Sequence, residues 1–130
     1  MADVEVVLYD RMQATAALLT LVSTRCYPIK KPADADLPHL VFKHVSETDV
    51  TAMGSNPGNV TRRYRFWIYG ATPAAARAVA AELKTGLNRY RASGTTPVIE
   101  DIFHAGSFED YVDGGDLFEI QVDYLVHYRE

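Results

Sequence analysis

The chain has 130 residues, 48% of them hydrophobic and 23% charged, with a formal net charge of −4 at pH 7. That length predicts one domain over residues 1–130, and the composition excludes a disordered, collagen-like or low-complexity chain. No apolar run reaches the ~18–20 residues of a membrane span, so no membrane partner is expected.

The first residues are acidic where a signal peptide is basic, and Cys26 has no second cysteine to pair with. Both suit a reducing cytosol. Asp3 caps a helix, and Val4, Val7, Leu8, Met12, Leu18, Leu19 and Val22 follow at helical spacing. They predict one amphipathic helix of about 18–20 residues. Residues 25–27 read as a short extended piece before Pro28, and 30–38 as a polar, Pro-bearing loop. A strand runs from about 39 to 51. A turn-rich loop, 52–59, carries Met53, Gly54, Ser55, Asn56, Pro57, Gly58 and Asn59. The next strand, about 60–69, sets Tyr64, Phe66 and Ile68 against Arg63, Arg65 and Trp67, a half-buried pattern.

Thr72-Pro73 opens a second helix whose stripe is Val79, Leu83, Leu87 and Tyr90, with Gly94 as its end. Residues 96–104 read as a strand continuing toward Tyr111. Asp113-Gly114-Gly115-Asp116 is a hairpin turn. The last strand, 117–128, alternates Phe118, Ile120, Val122, Tyr124, Val126 and Tyr128 against Glu119, Gln121, Asp123 and His127. These elements predict an α+β fold: a two-layer domain with a mostly antiparallel sheet of about four long strands and two helices packed on one face. The core is expected at Leu8, Leu18, Phe66, Ile68, Val79, Leu83, Phe118, Ile120, Val122 and Tyr124.

Catalytic motifs are not readable. The segment from Gly54 to Gly58 lacks the lysine and spacing of a phosphate loop, and Asn59-Val60-Thr61 is a glycosylation pattern only for an exported chain. His39, His44, His104 and His127 have no ligand spacing, so no metal or other cofactor is expected. Cys26 reads as a small buried hydrophobe. Glu100-Asp101 and Glu109-Asp110 are strand neighbours that point to opposite faces, and they read as a solvated edge rather than a carboxylate dyad.

The charges are unevenly spread. Residues 1–91 carry 12 Lys/Arg and 8 Asp/Glu, whereas residues 92–130 carry 1 and 9. Arg62, Arg63 and Arg65 crowd one strand. One reading pairs them across strands with Glu119 or Asp123. The other sets them against the acidic segment of a second copy, with Arg62, Arg63, Arg65, Glu119 and Asp123 as the subunit-interface candidates, a head-to-tail contact that closes a ring or grows a filament. A nucleic-acid reading is weaker, because the acidic third repels phosphates.

The order of these segments resembles a known family. The N-terminal helix with Leu8-Tyr9, then Arg25-Cys26-Tyr27-Pro28, Leu37-Pro38-His39-Leu40-Val41-Phe42 and Arg63-Tyr64-Arg65-Phe66-Trp67-Ile68-Tyr69 are followed by the helix opening Thr72-Pro73. Leu117-Phe118-Glu119-Ile120-Gln121-Val122-Asp123-Tyr124 closes the series. Together they look like the tail completion, or tail terminator, proteins of long-tailed bacteriophages and related tail-like particles. The resemblance implies a structural virion protein, not an enzyme. It implies a ring of this chain, six-fold in that family, at the head-proximal end of the tail tube. Its partners would be the tail tube protein and a head-completion or connector protein, with DNA passing through the lumen. Assembly would occur in the bacterial host cytoplasm. On this reading Glu109, Asp110, Asp113 and Asp116 are candidates for an acidic lumen, and the 52–59 loop for the tube contact. A head-side adaptor or tail tube protein is the nearest alternative. A small ligand-binding or enzymatic α+β domain is a more distant one, and no pocket of convergent polar groups is readable for it.

Overall fold

The computed structural model describes residues 4–22, 25–28, 37–49, 59–92, 94, 97–112 and 117–129. The chain runs α1 (Val4–Ala14), α2 (Ala16–Val22), β1 (Cys26–Pro28), β2 (His39–Asp49), β3 (Asn59–Gly70), α3 (Pro73–Leu87), β4 (Val98–Val112) and β5 (Leu117–Arg129). The strands form one sheet in the order β1-β2-β3-β5-β4. Only the β1–β2 pair is parallel. The expected α+β fold is therefore present.

Period-2 alternation decides which face is buried. Tyr64, Phe66 and Ile68 of β3 and Ile120, Val122, Tyr124, Val126 and Tyr128 of β5 are buried on one face. Leu40 and Phe42 of β2 join them, and α1, α2 and α3 supply Val4, Leu8, Met12, Leu18, Val22, Val79, Leu83 and Leu87. Phe66 stacks on Phe42 at 5.5 Å and meets Tyr124 edge-on at 5.6 Å, a geometry aromatic quadrupoles favour. All the expected core positions are buried except Phe118. It lies half-buried against the Tyr111 ring at the end of the hairpin where β4 passes into β5.

Several boundaries differ from expectation. The single N-terminal helix is two, broken at Thr15, though one apolar stripe continues through both. The Thr15 hydroxyl donates to the Arg11 carbonyl at 2.9 Å, the back-bond that bends helices. The bend lets the pair wrap α3 where Gly86 leaves room: a Cβ there would sit 2.5 Å from Thr15 Oγ1. Helix α3 begins as expected, with Thr72 Oγ1 accepting from Ala75 N at 3.1 Å and proline in the first turn. It ends at Leu87, well before Gly94. Arg89 takes a left-handed φ of 65° and turns the chain back onto β4. Asn59 belongs to β3, paired with Arg129, rather than to the preceding loop. β4 extends to Val112, so Glu109 and Asp110 are strand residues. The other residues of the 52–59 loop and the 113–116 turn lie outside the described residues.

Leu83→Ala is expected to lower stability by ~2–5 kcal/mol in urea denaturation, since the side chain is fully buried. Gly70→Ala is expected to destabilise as well, because its Cβ would lie 2.8 Å from the backbone nitrogen of Ala76. Gly94→Ala, with nothing within 4 Å, is expected to leave the denaturation midpoint nearly unchanged.

Candidate functional site

The odd-numbered residues 61–69 of β3 and 117–127 of β5 stand on the sheet face opposite the helices and are half-buried. Asp123 lies opposite Arg65 in the β3–β5 register, with Arg63 diagonal to it. Arg65 holds it with a fork, Nε to Oδ1 at 2.8 Å and Nη2 to Oδ2 at 3.2 Å. Arg63 Nη1 donates to Oδ2 at 2.5 Å. Burial alone would raise the Asp123 carboxyl. The hydrogen bonds from Arg65 and Arg63 outweigh it and hold the group below the usual carboxylate range.

Arg62 does not belong to this cluster. Neighbours on a strand alternate faces, so it points to the helix side. There its Nη2 meets Glu47 Oε1 at 2.8 Å and its Nη1 donates to Tyr64 Oη at 3.0 Å. Its guanidinium also lies 5.2 Å from the centre of the Tyr128 ring. The hydrogen bond from Arg62 lowers the Glu47 carboxyl. Glu119 is separate too. It accepts from Gln121 Nε2 at 2.8 Å and faces Tyr69, whose hydroxyl is pushed up to about 12 by burial first and by Glu119 second.

Aromatic rings cover much of the rest of the helix-free face. Lys43 lies 5.8 Å from the centre of the Trp67 ring, His39 is 5.2 Å from Tyr69, and Phe103 packs edge-on to His127. Thr61 Oγ1 lies 2.8 Å from His127 Nδ1. His44 and His104 stand on the helix side, so the four histidines are split between faces. Among the described residues no group of three His, Cys, Asp or Glu could hold a metal. Burial pushes the Cys26 thiol up to about 12, against a smaller opposing effect of Arg25, so it is no nucleophile at neutral pH.

The acidic candidates fall apart in space. Glu109, on the helix side, makes a bidentate pair with Arg77 of α3 at 2.8 and 2.9 Å. Asp110 stands on the helix-free side, opposite Glu119. Asp113 and Asp116, and Met53, Gly54, Ser55, Asn56, Pro57 and Gly58, lie outside the described residues. The Glu100-Asp101 reading needs correction. Asp101 is only 8% exposed and receives Arg89 Nη2 at 3.0 Å and Arg91 Nη2 at 3.2 Å. Sequence reasoning missed this clamp because the two arginines follow a helix end it placed too late. A cavity of about 190 Å³ between α3, β4 and β5 is lined by Lys84, His104, Ser107 and Tyr124. The Tyr124 hydroxyl is buried without a hydrogen-bond partner among the described residues. Burial and, second, Lys84 lower the His104 imidazole. Among the described residues no nucleophile–base pair forms there.

Asp123→Asn is expected to cost ~1–2 kcal/mol at pH 7, since the arginines are one-third exposed and water screens part of the pair. The folded carboxyl titrates below its unfolded value of ~4. Its contribution is therefore present above pH ~4 and lost as pH falls through the lower folded value. Urea denaturation at pH 7 and pH 3 is expected to show a smaller acid loss in Asp123→Asn than in the parent. Reversing Arg62, Arg63 and Arg65 to Glu strands Asp123 and Glu47 among like charges, so loss of folding is expected before any loss of assembly.

A family model for tail completion protein gp17 matches residues 6–129. No curated protein matches the chain. Among solved structures, a chain of the virion of a native gene transfer agent (GTA) particle is similar in fold, with a TM-score of 0.76 and 17% identity. The alignment covers 95% of this chain and 92% of that one. Because the family match reaches from α1 into β5, the chain belongs to the tail completion protein gp17 family, structural proteins of phage-like tails.

Proposed function

We propose that the protein forms a homomeric ring, of six copies, on the head-proximal end of a phage-like tail tube. The ring ends tube polymerisation and offers a docking face to a head-completion or connector protein. DNA passes through its lumen without specific binding. The role is structural, with no catalytic step and no cofactor. The observation that carries this reading is the family match over residues 6–129, which spans the whole fold rather than one motif. The net charge of −4 supports a lumen that does not hold DNA by attraction. Asp110 and Glu119, facing each other on the helix-free side, are the described acids best placed for it. Glu109, tied to Arg77 on the other side, is set apart from them. Asp113 and Asp116 of the β4–β5 turn stay with the lumen in this reading. The segment between β2 and β3 is the tube contact.

Native mass spectrometry of the purified protein is expected to give six copies, and a monomer at working concentration overturns the ring. Particles assembled without the protein are expected to carry tails of uncontrolled length that fail to join heads. Normal tails would overturn the terminating role. Replacing residues 52–58 with an Asn-Gly turn is expected to keep the fold and reproduce the tail defect.

A further inference from the structure

The cavity of about 190 Å³ between α3, β4 and β5 has a buried floor and an exposed rim. Val122 and Tyr124 form the floor, His104 a half-buried wall, and Lys84 and Ser107 the rim. Strand pairing gathers four of these residues on the helix side. His104 stands opposite Tyr124 and, past the bulge at Gly106, Ser107 stands opposite Val122. Lys84 completes the set from the last turn of α3.

Two groups in this lining are unsatisfied. The Tyr124 hydroxyl is sealed from bulk water and has no hydrogen-bond partner among the described residues. A buried hydroxyl left unpaired destabilises the fold, and the cavity that Tyr124 borders is where a partner fits. Lys84 also has no ion-pair partner among the described residues, although Arg77, two turns earlier on α3, has Glu109. The lining chemistry sets the sign of the occupant. Lys84 can only donate, both hydroxyls can donate, and a neutral His104 offers one N–H. Among the described residues no carboxylate lines the cavity, and Glu109, the next residue after Ser107 on that face of β4, is turned to Arg77. The volume sets the size. It is several times the ~30 Å³ share of one water, and it lies below the ~300 Å³ at which sites for larger organic ligands begin. The donors come from α3, β4 and β5, and so from different sides, which suits a tetrahedral ion better than a flat one.

We propose that this cavity binds one small tetrahedral oxoanion, of the class of inorganic phosphate or sulfate, between Lys84, Ser107, His104 and the Tyr124 hydroxyl. The anion ties the last turns of α3 to the β4–β5 hairpin. The site lies within one chain and stands or falls apart from the ring reading. Its electrostatics are consistent. Burial first, and Lys84 second, keep the His104 imidazole low and therefore neutral at pH 7. An anion beside it opposes both effects and favours the protonated ring. Binding therefore tightens as pH falls toward the titration of His104.

Isothermal titration calorimetry of the unmodified protein with sodium sulfate, against sodium acetate at matched ionic strength, tests the site. Sulfate is expected to bind saturably, one ion per chain, with a Kd of about 1 mM or tighter. Acetate is expected to bind at least tenfold more weakly. Sulfate keeps its double charge near neutral pH, so a gain of roughly threefold from about pH 7.5 to about pH 5.5 reports His104. Lys84→Gln is expected to weaken sulfate at least tenfold, and Lys43→Gln, on the other face of the sheet, to leave it unchanged. Tyr124→Phe is expected to weaken sulfate at least fivefold without lowering the melting temperature measured in its absence, because the hydroxyl has no partner in the empty cavity. A role in packing alone would move the melting temperature and not the affinity. Ser107→Ala, at an exposed position, is expected to weaken sulfate about threefold and decides the matter should Tyr124→Phe fail to fold. No saturable sulfate binding, or binding that Lys84→Gln and Ser107→Ala leave unchanged, overturns the site. Acetate binding as tight as sulfate overturns the tetrahedral ion.

Discussion

The β3–β5 pairing runs without a break from Asn59 opposite Arg129 to Gly70 opposite Phe118, and both faces of the sheet depend on it. A slip of one residue would turn one strand over, either Tyr64, Phe66 and Ile68 away from the helices with Arg63 and Arg65 beneath them, or Val122 and Tyr124 away with Asp123 beneath. The apolar cost fixes the register from one side. The Arg63–Asp123–Arg65 cluster agrees with it from the other, since only this register sets the carboxylate opposite Arg65. The bulges are displaced to β2 and β4, the strands flanking this pair, where an extra residue disturbs one ladder at most on each side.

Legibility in the sequence followed how local each signal is. The alternation of β3 and β5 and the Thr72-Pro73 start of α3 were readable because a few neighbouring residues decide them. The break at Thr15 was not, because the apolar stripe runs through it. What bends the helix is a side-chain bond to Arg11 and a gap at Gly86, seventy-odd residues away in sequence. The end of α3 was misread for a related reason. Glycine is the usual left-handed terminator, but here Arg89 takes that conformation, costing about 1 kcal/mol or more. Long-range bonds offset this: its backbone N–H reaches Ile102, its guanidinium reaches Asp101, and it also stacks 4.7 Å from the Phe103 ring. At the candidate site, the Arg63 and Arg65 pairing with Asp123 was foreseen as one of two readings. The departure of Arg62 was also in the pattern, since strand alternation places it on the opposite face from its neighbours.

That turn at Arg89 also governs the edge of the sheet. By folding the chain back along β4 it covers the strand up to His104, and no described residue covers the remainder. Gly106, with φ of 142°, then carries the bulge that restarts the ladder with Ser107 rather than Gly106 on the helix side. An exposed strand edge is a hazard that monomeric proteins blunt with charge, proline or cover. Among the described residues the cover stops midway, and Phe108 stands 55% exposed beyond it.

The unequal charge of the two parts of the sequence is largely neutralised by the fold. Asp101, Glu109 and Asp123 each meet arginines from residues 63–91, and Glu100 meets Arg129. Glu47 takes Arg62. A chain-level asymmetry therefore says little about assembly until these internal pairs are subtracted. Among the strand side chains described, Lys43, Asp110 and Glu119 are left without an ion pair. Partial exposure makes each internal pair weak, but satisfied charges do not compete for a neighbour.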